Sequence, residues 1–217
     1  MWAVGYDTYH VLRELYKTGR PVGNSLNRKL MRDFRIYMAV GGMPQAVEVY
    51  TEGKNFTEID EVKREIIDLY KDDFFKIDNT GLFTTMIFNS SGETDTNIYT
   101  KLLSDSLPAD LGYLYENAAA QIIAGSDIAL FYYTWEKENS SHYYEVDFLL
   151  PSKTKIVPLE IKSSGIGKHE SITAFQKKYS KQVLRQILLS QKDIGHAETL
   201  QLYPVYMLPF ILEDLKN

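Results

Sequence analysis

The chain of 217 residues has no cysteine, so disulfides, thiolate metal sites and cysteine nucleophiles are excluded. No run of 18 apolar residues occurs, so no segment reads as a membrane span. The opening Met-Trp-Ala-Val-Gly-Tyr-Asp has neither a basic nor an apolar leader region, so a cytoplasmic protein is expected. No Gly-x-x-x-x-Gly-Lys-Ser/Thr run is found, and no ATP site of that kind is therefore expected. The four histidines, His10, His142, His169 and His196, are scattered without ligand spacing. An excess of positive charge is lacking too, since the net charge is −5.

The charge that is present is unevenly placed. Residues 151–185 hold eight cations against Glu160 and Glu170, a net of +6 that leaves −11 for the rest of the chain. Lys168, Lys177, Lys178, Lys181 and Arg185 cluster in its second half. A stretch of this kind suits a phosphate backbone, although a solvated helix face is the commoner meaning of a lysine run. The hydrophobic content of 44% and aromatic content of 13% describe a globular chain.

The pattern begins helical. Residues 26–39 carry Leu30, Phe34 and Met38 at a spacing of four, and Gly41-Gly42 then stops the helix while Pro44 starts another. A second long helix is expected over 57–76, with Thr57 as N-cap, Glu61 in the first turn, and Ile59, Val62, Ile66, Leu69 and Phe74 as its apolar stripe. The polar, turn-rich stretch 78–97 reads as a boundary. It divides a helical region 1–77 from a second domain 78–217.

Beyond it the texture changes. Residues 108–124 form a nearly all-apolar helix that reads as buried, with Glu116 inside it. Strand-like runs follow at 128–135, 143–150 and 155–162, then a helix near 169–180 and a strand at 182–189. The order α-β-β-β-α-β implies an α/β (α+β) fold with helices packed on a central mixed sheet. Residues 203–209 are expected to form an edge strand, because Pro204 and Pro209 cannot both sit in a central one.

Chemistry concentrates in two of these strands. Glu145-Val-Asp147-Phe-Leu-Leu150 is followed by Pro158-Leu-Glu160-Ile-Lys162-Ser-Ser164. Glu160 and Lys162, two apart, share a strand face, and Ile161 points the other way into a core. Asp147 is close enough in sequence for a tight turn to bring it alongside. Two carboxylates and an ammonium would then converge, which suits Mg²⁺ or Mn²⁺ with an activated water. Glu116 is a further candidate ligand or orienter, because a carboxylate buried in an alanine-rich helix needs a cation or donor. The same spacing also fits a plain Asp147–Lys162 salt bridge with Glu160 as a solvated neighbour.

Together, the helix Tyr115-Glu116-Asn117, the strand at Asp147 and the Glu160-x-Lys162 strand resemble the PD-(D/E)xK nuclease superfamily. More closely, the chain resembles the C-terminal half of a bacterial family of AAA-type ATP-binding proteins. Those carry a nuclease-like domain of unknown function after their ATPase. The words that match are Arg32 to Val47 with its Gly41-Gly42-Met43-Pro44, Asp78 to Phe83, Asn97 to Asn117, Tyr144 to Leu150 and Pro204 to Met207. The resemblance implies an αβββαβ nuclease-like core and a catalytic set of Glu116, Asp147, Glu160 and Lys162, with the metal on Asp147 and Glu160.

Its ATPase half is absent, and so is the winged-helix-like segment that the family has between Phe74 and Asp78. The implied function is a Mg²⁺/Mn²⁺-dependent phosphodiesterase acting on DNA. The alternative is a catalytically silent module that binds nucleic acid or docks on an ATPase partner through the acidic N-terminal helices.

Overall fold

The computed structural model describes residues 8–69, 96–104, 112–138, 141–163, 165 and 169–216. The chain divides into two compact units. One holds the described part of residues 29–121, and the other holds residues 8–28 with the described part of 122–217. The expected boundary over 78–97, the expected end of the 57–76 helix, Phe74 and Lys168 lie outside the described residues, apart from 96 and 97, which open a helix.

The long helix α2, Asn24–Val40, belongs to the first unit from Lys29 on and buries Leu30, Phe34 and Met38, the stripe expected from their spacing, with Met31 beside them. Gly41 ends it at φ 82°, a conformation that costs glycine little. Pro44 then opens α3, Pro44–Thr51, at its first turn. The helix α4, Phe56–Leu69, is capped two residues earlier than expected. Asn55, not Thr57, is its cap: the Asn55 Oδ1 accepts the N–H of Thr57 at 2.9 Å and of Glu58 at 3.1 Å. Glu58 returns the bond by accepting the Asn55 N–H at 3.0 Å, a reciprocal capping box.

The cores of α2, α3 and α4 meet at Val40, Ala46 and Ile59. Beside them Lys63 is fully enclosed. Its Nζ lies 2.8 Å from Asp60, donates to Ala39 O at 2.8 Å and to Tyr99 Oη at 3.3 Å. Tyr99 belongs to α5, Thr96–Leu103, and its hydroxyl also donates to Asp60.

The helix α6, Gly112–Ala124, is buried along one face only, through Leu114, Tyr115, Ala118, Ala119 and Ile123. Glu116 is exposed, which corrects the expectation of a helix buried all round.

The second unit is built on a six-stranded mixed sheet of order β1-β2-β3-β4-β6-β5. Its strands are β1 Phe131–Glu136, β2 Tyr143–Ser152, β3 Lys155–Ile161, β4 Gln186–Ser190, β5 Gly195–Ala197 and β6 Leu200–Pro204. The first three form an antiparallel meander. The chain then crosses over through α7, Glu170–Lys178, so that β4 runs parallel to β3. The expected α-β-β-β-α-β order is thus present, and β5 and β6 extend it.

The 203–209 expectation is corrected. β6 is flanked by β4 and β5, so it is not an edge. It tolerates proline because Pro204 is its last residue. Pro209 falls in the first turn of a further helix, α8, Leu208–Lys216.

Register assigns the two faces of the sheet. Leu188 of β4 pairs with Leu202 and packs with Ile172 of α7, so α7 covers that face. Tyr203, one residue on, packs at a tilt against Tyr16 of the N-terminal helix α1, Tyr9–Thr18. Tyr16 also stacks with Phe210 of α8, so α1 and α8 cover the opposite face. The two middle parallel strands are buried on both sides, as their unbroken apolar runs require.

Candidate functional site

The site residues of the second unit lie on β2 (Asp147), on β3 (Glu160) and just beyond β3 (Lys162). The turn between these strands passes through Lys153 at φ 53°. Pairing runs from Ser152↔Lys155 to Phe148↔Leu159, which brings Asp147 level with Glu160. Glu160 pairs across β3–β4 with Leu188 and therefore lies on the face that α7 covers. Lys162, two residues on, belongs to the same side, and its backbone N–H continues the ladder to Leu189 O at 2.8 Å. Ile161, between them, is 3% exposed and packs the other way, as expected.

A register shift shapes β2 at this point. Tyr133 pairs with Val146 while Phe131 pairs with Leu149, so one step on β1 matches a longer step on β2. Val146 and Leu149, three apart, both join the α7-side cluster with Phe175. The extra residue lies among Val146, Asp147 and Phe148. Bulges of this kind re-aim side chains beside functional sites.

Glu160 is 4% exposed. Its Oε1 lies 2.6 Å from Lys162 Nζ, and its Oε2 is buried with no hydrogen-bond partner among the described residues. The Lys162 side chain that pairs with it is about one-third exposed, at 32%. Asp147 is half-buried, and its Oδ2 accepts the N–H of Ile161 at 2.7 Å.

The structure thus brings together Asp147, Glu160 and Lys162. Lys162 forms an ion pair with Glu160, and Glu160 is enclosed rather than solvated. Glu116 lies in the other unit, exposed on α6.

Two carboxylates, one of them with an orphaned buried oxygen, are hard donors that suit Mg²⁺ or Mn²⁺. Mg²⁺ commonly takes one or two protein carboxylates and completes its shell with water and phosphate. Among the described residues no group of three or more His, Cys, Asp or Glu side chains converges.

The basic residues separate. Lys177 and Lys178, exposed, belong to α7 on the site's side of the sheet. Lys181 is exposed past the end of α7, and its carbonyl accepts from Lys155 Nζ. Arg185 turns to the opposite face, where it meets Asp214 of α8 at 2.8 Å and Tyr16 at 3.4 Å. That ion pair could not be read locally, because its partner lies 29 residues downstream.

Sequence reasoning also passed over an aromatic row beside the site. Tyr133, Trp135 and Tyr144 stack across β1 and β2, with ring centroids 5.4 and 5.0 Å apart. The alternation of aromatic residues in 131–135 carried that signal.

Among the described residues no helix is long and apolar enough to cross a membrane. No curated protein and no solved structure matches the chain. Residues 111–208, which run from the start of α6 to the start of α8 and include all four candidate residues, match the family described as Domain of unknown function (DUF4143).

Proposed function

We propose that Asp147, Glu160 and Lys162 form a Mg²⁺- or Mn²⁺-dependent phosphodiesterase site that acts on DNA. The observation that carries this reading is the buried, unpartnered Oε2 of Glu160, beside Asp147 and within an ion pair to Lys162. A carboxylate oxygen enclosed without a donor is costly unless a cation completes it.

Asp147 and Glu160 would hold the metal, whose bound form supplies a water of lowered pKa and a polarised phosphate oxygen. The chain's own residues do the rest. The Ile161 N–H fixes the Asp147 carboxylate, and the β2–β3 ladder fixes its distance from Glu160. Lys162, paired on one side and partly exposed on the other, is placed to orient the attacking water or offset charge gathering on phosphorus. Hydrolysis adds the water oxygen to phosphorus, breaks one P–O ester bond, and leaves the proton on the departing oxygen. Lys177 and Lys178 would steer the phosphate backbone.

A second reading rests on the same network. Asp147 already accepts an amide and Glu160 already pairs with Lys162, so the trio also suits a module that binds nucleic acid or an ATPase partner without turnover. The resemblance to AAA-type ATP-binding proteins supports that partner, since this chain has no phosphate-binding loop of its own.

Calorimetric titration of Mn²⁺ into the wild-type chain and Asp147→Asn, paired with cleavage of end-labelled DNA, separates the two. Saturable binding and cleavage that are lost together support the phosphodiesterase. Binding of DNA with no Mn²⁺ uptake and no cleavage supports the silent module.

A further inference from the structure

The α7 side of β1 and β2 carries a row of aromatic rings, two of which, Tyr133 and Trp135, are half-buried edge-on to Phe175 of α7. Along β1, Phe131, Tyr133 and Trp135 share one face, and Tyr144 pairs with Trp135 from β2. Phe131 is 57% exposed at one end of this row. Tyr133 and Tyr179 of the α7 exit share a hydroxyl–hydroxyl bond of 2.8 Å, which fixes the row against α7. At the other end an open cleft of about 470 Å³ is lined by Tyr144, His169, Glu170, Thr173, Ala174 and Lys177.

Cations sit on these rings. Lys137 Nζ lies 4.5 Å from the Tyr144 centroid, and Lys178 Nζ lies 5.6 Å from that of Trp135. The acids of the flanking strand positions, Glu136 and Glu145, alternate to the opposite face, and Glu170 is paired with Lys137 at 3.3 Å. Tyr144 is three residues from Asp147 on the same strand, which is about 10 Å at ~3.3 Å per residue.

We propose that this row and its cleft form a platform for single-stranded nucleic acid, leading an unpaired strand to Asp147 and Glu160. Rings interleaved with lysines match the two features a single strand offers, open base faces and a phosphate chain. A duplex hides its base faces in the stack and offers such rings only its backbone. The substrate of the proposed phosphodiesterase site is therefore an unpaired strand. The chemistry rests on that site, while the platform residues lie outside it.

The test reads Trp135 directly. Trp2 and Trp135 are the two tryptophans, so Trp2→Phe leaves one reporter. This chain is titrated with an oligothymidylate and with a mixed-sequence duplex in EDTA, without metal.

Saturable quenching of Trp135 by the single strand is expected, with the duplex bound on the order of tenfold more weakly. Charge reversal by Lys177→Glu with Lys178→Glu is expected to weaken the single strand by a similar factor and flatten its salt dependence. Unchanged circular dichroism and melting temperature show that these surface variants fold.

No quenching, equal affinity for duplex, or indifference to charge reversal overturns the platform. Quenching of the wild-type Trp135 with no cleavage once Mg²⁺ or Mn²⁺ is supplied keeps the platform and removes the phosphodiesterase. Cleavage without quenching does the reverse.

Discussion

Asp147 holds Ile161 across two strands: its Oδ2 accepts the Ile161 amide N–H at 2.7 Å. The carboxylate expected to bind a metal is thus also a structural acceptor at the end of β3. Asp147→Ala leaves that part-buried N–H without its acceptor and is expected to destabilise the protein by about 1–3 kcal/mol. Asp147→Asn keeps an oxygen in place and should stay within ~0.5 kcal/mol of wild type. Urea unfolding of the two variants decides it. Equal loss in both would remove the acceptor role and leave only the charge.

The α4 cap gives a second test. Asn55→Ala removes the oxygen that receives the Thr57 and Glu58 amides, and should cost about 1 kcal/mol. Thr57→Val, which leaves the observed cap intact, should be nearly neutral. A larger loss from Thr57→Val than from Asn55→Ala in thermal unfolding would place the helix start back at the position the sequence pattern suggests.

Lys63 is enclosed with Asp60, and burial pushes its ammonium below its ordinary value of 10.5 while Asp60 draws it back up. Asp60→Ala leaves that cation without its counter-charge and should cost about 3–5 kcal/mol near neutral pH. Because the folded chain then binds the proton less well than the unfolded chain, stability rises with pH between the lowered pKa and 10.5. The deficit of Asp60→Ala should therefore shrink from pH 7 to pH 9.5. Urea midpoints at both values measure this, and a constant deficit would show that Lys63 keeps its charge without Asp60.

At the alkaline end Tyr16 is one of several buried tyrosines whose hydroxyls are pushed up. Burial first, and the neighbouring Asp214 carboxylate with it, push its hydroxyl up to about 12, against the opposing pull of Arg185. Its folded pKa exceeds the unfolded value of 10.0, so its contribution is complete below pH 10 and is lost as pH rises through about 12. Tyr16→Phe cannot release that proton, and its stability should fall less steeply over this window. Urea midpoints from pH 9 to 11.5 would show parallel curves if Tyr16 ionised equally in both states.

The central strands were legible because their information is local. A Glu-x-Lys spacing fixes a shared strand face, and the apolar runs around it fix burial. Leu30, Phe34 and Met38 likewise announce α2, and Gly41 and Pro44 its neighbours. The helix α1 also left a trace, with Leu12 and Tyr16 four apart and Gly19 as its stop, but no motif drew attention to it.

What failed to show depends on distant partners. Pro209 reads as a strand breaker, yet it serves in the first turn of α8. Arg185 reads as part of a basic run until Asp214 closes on it. Glu160 reads as one member of a surface trio, and only the layer above the sheet makes it a buried anion.

The irregular step in β2 gives the site an unusual dependence on chain length. Val146 and Leu149 reach the same cluster only because an additional residue separates them. Removing one residue there would restore regular alternation and rotate the preceding half of β2 by one side-chain position. Every acid and lysine would still be encoded, but the aromatic row and Asp147 would no longer both face α7. Deletion of Phe148 thus stands to disable this surface more completely than any single exchange of side chains, because here the fold stores the site as a count.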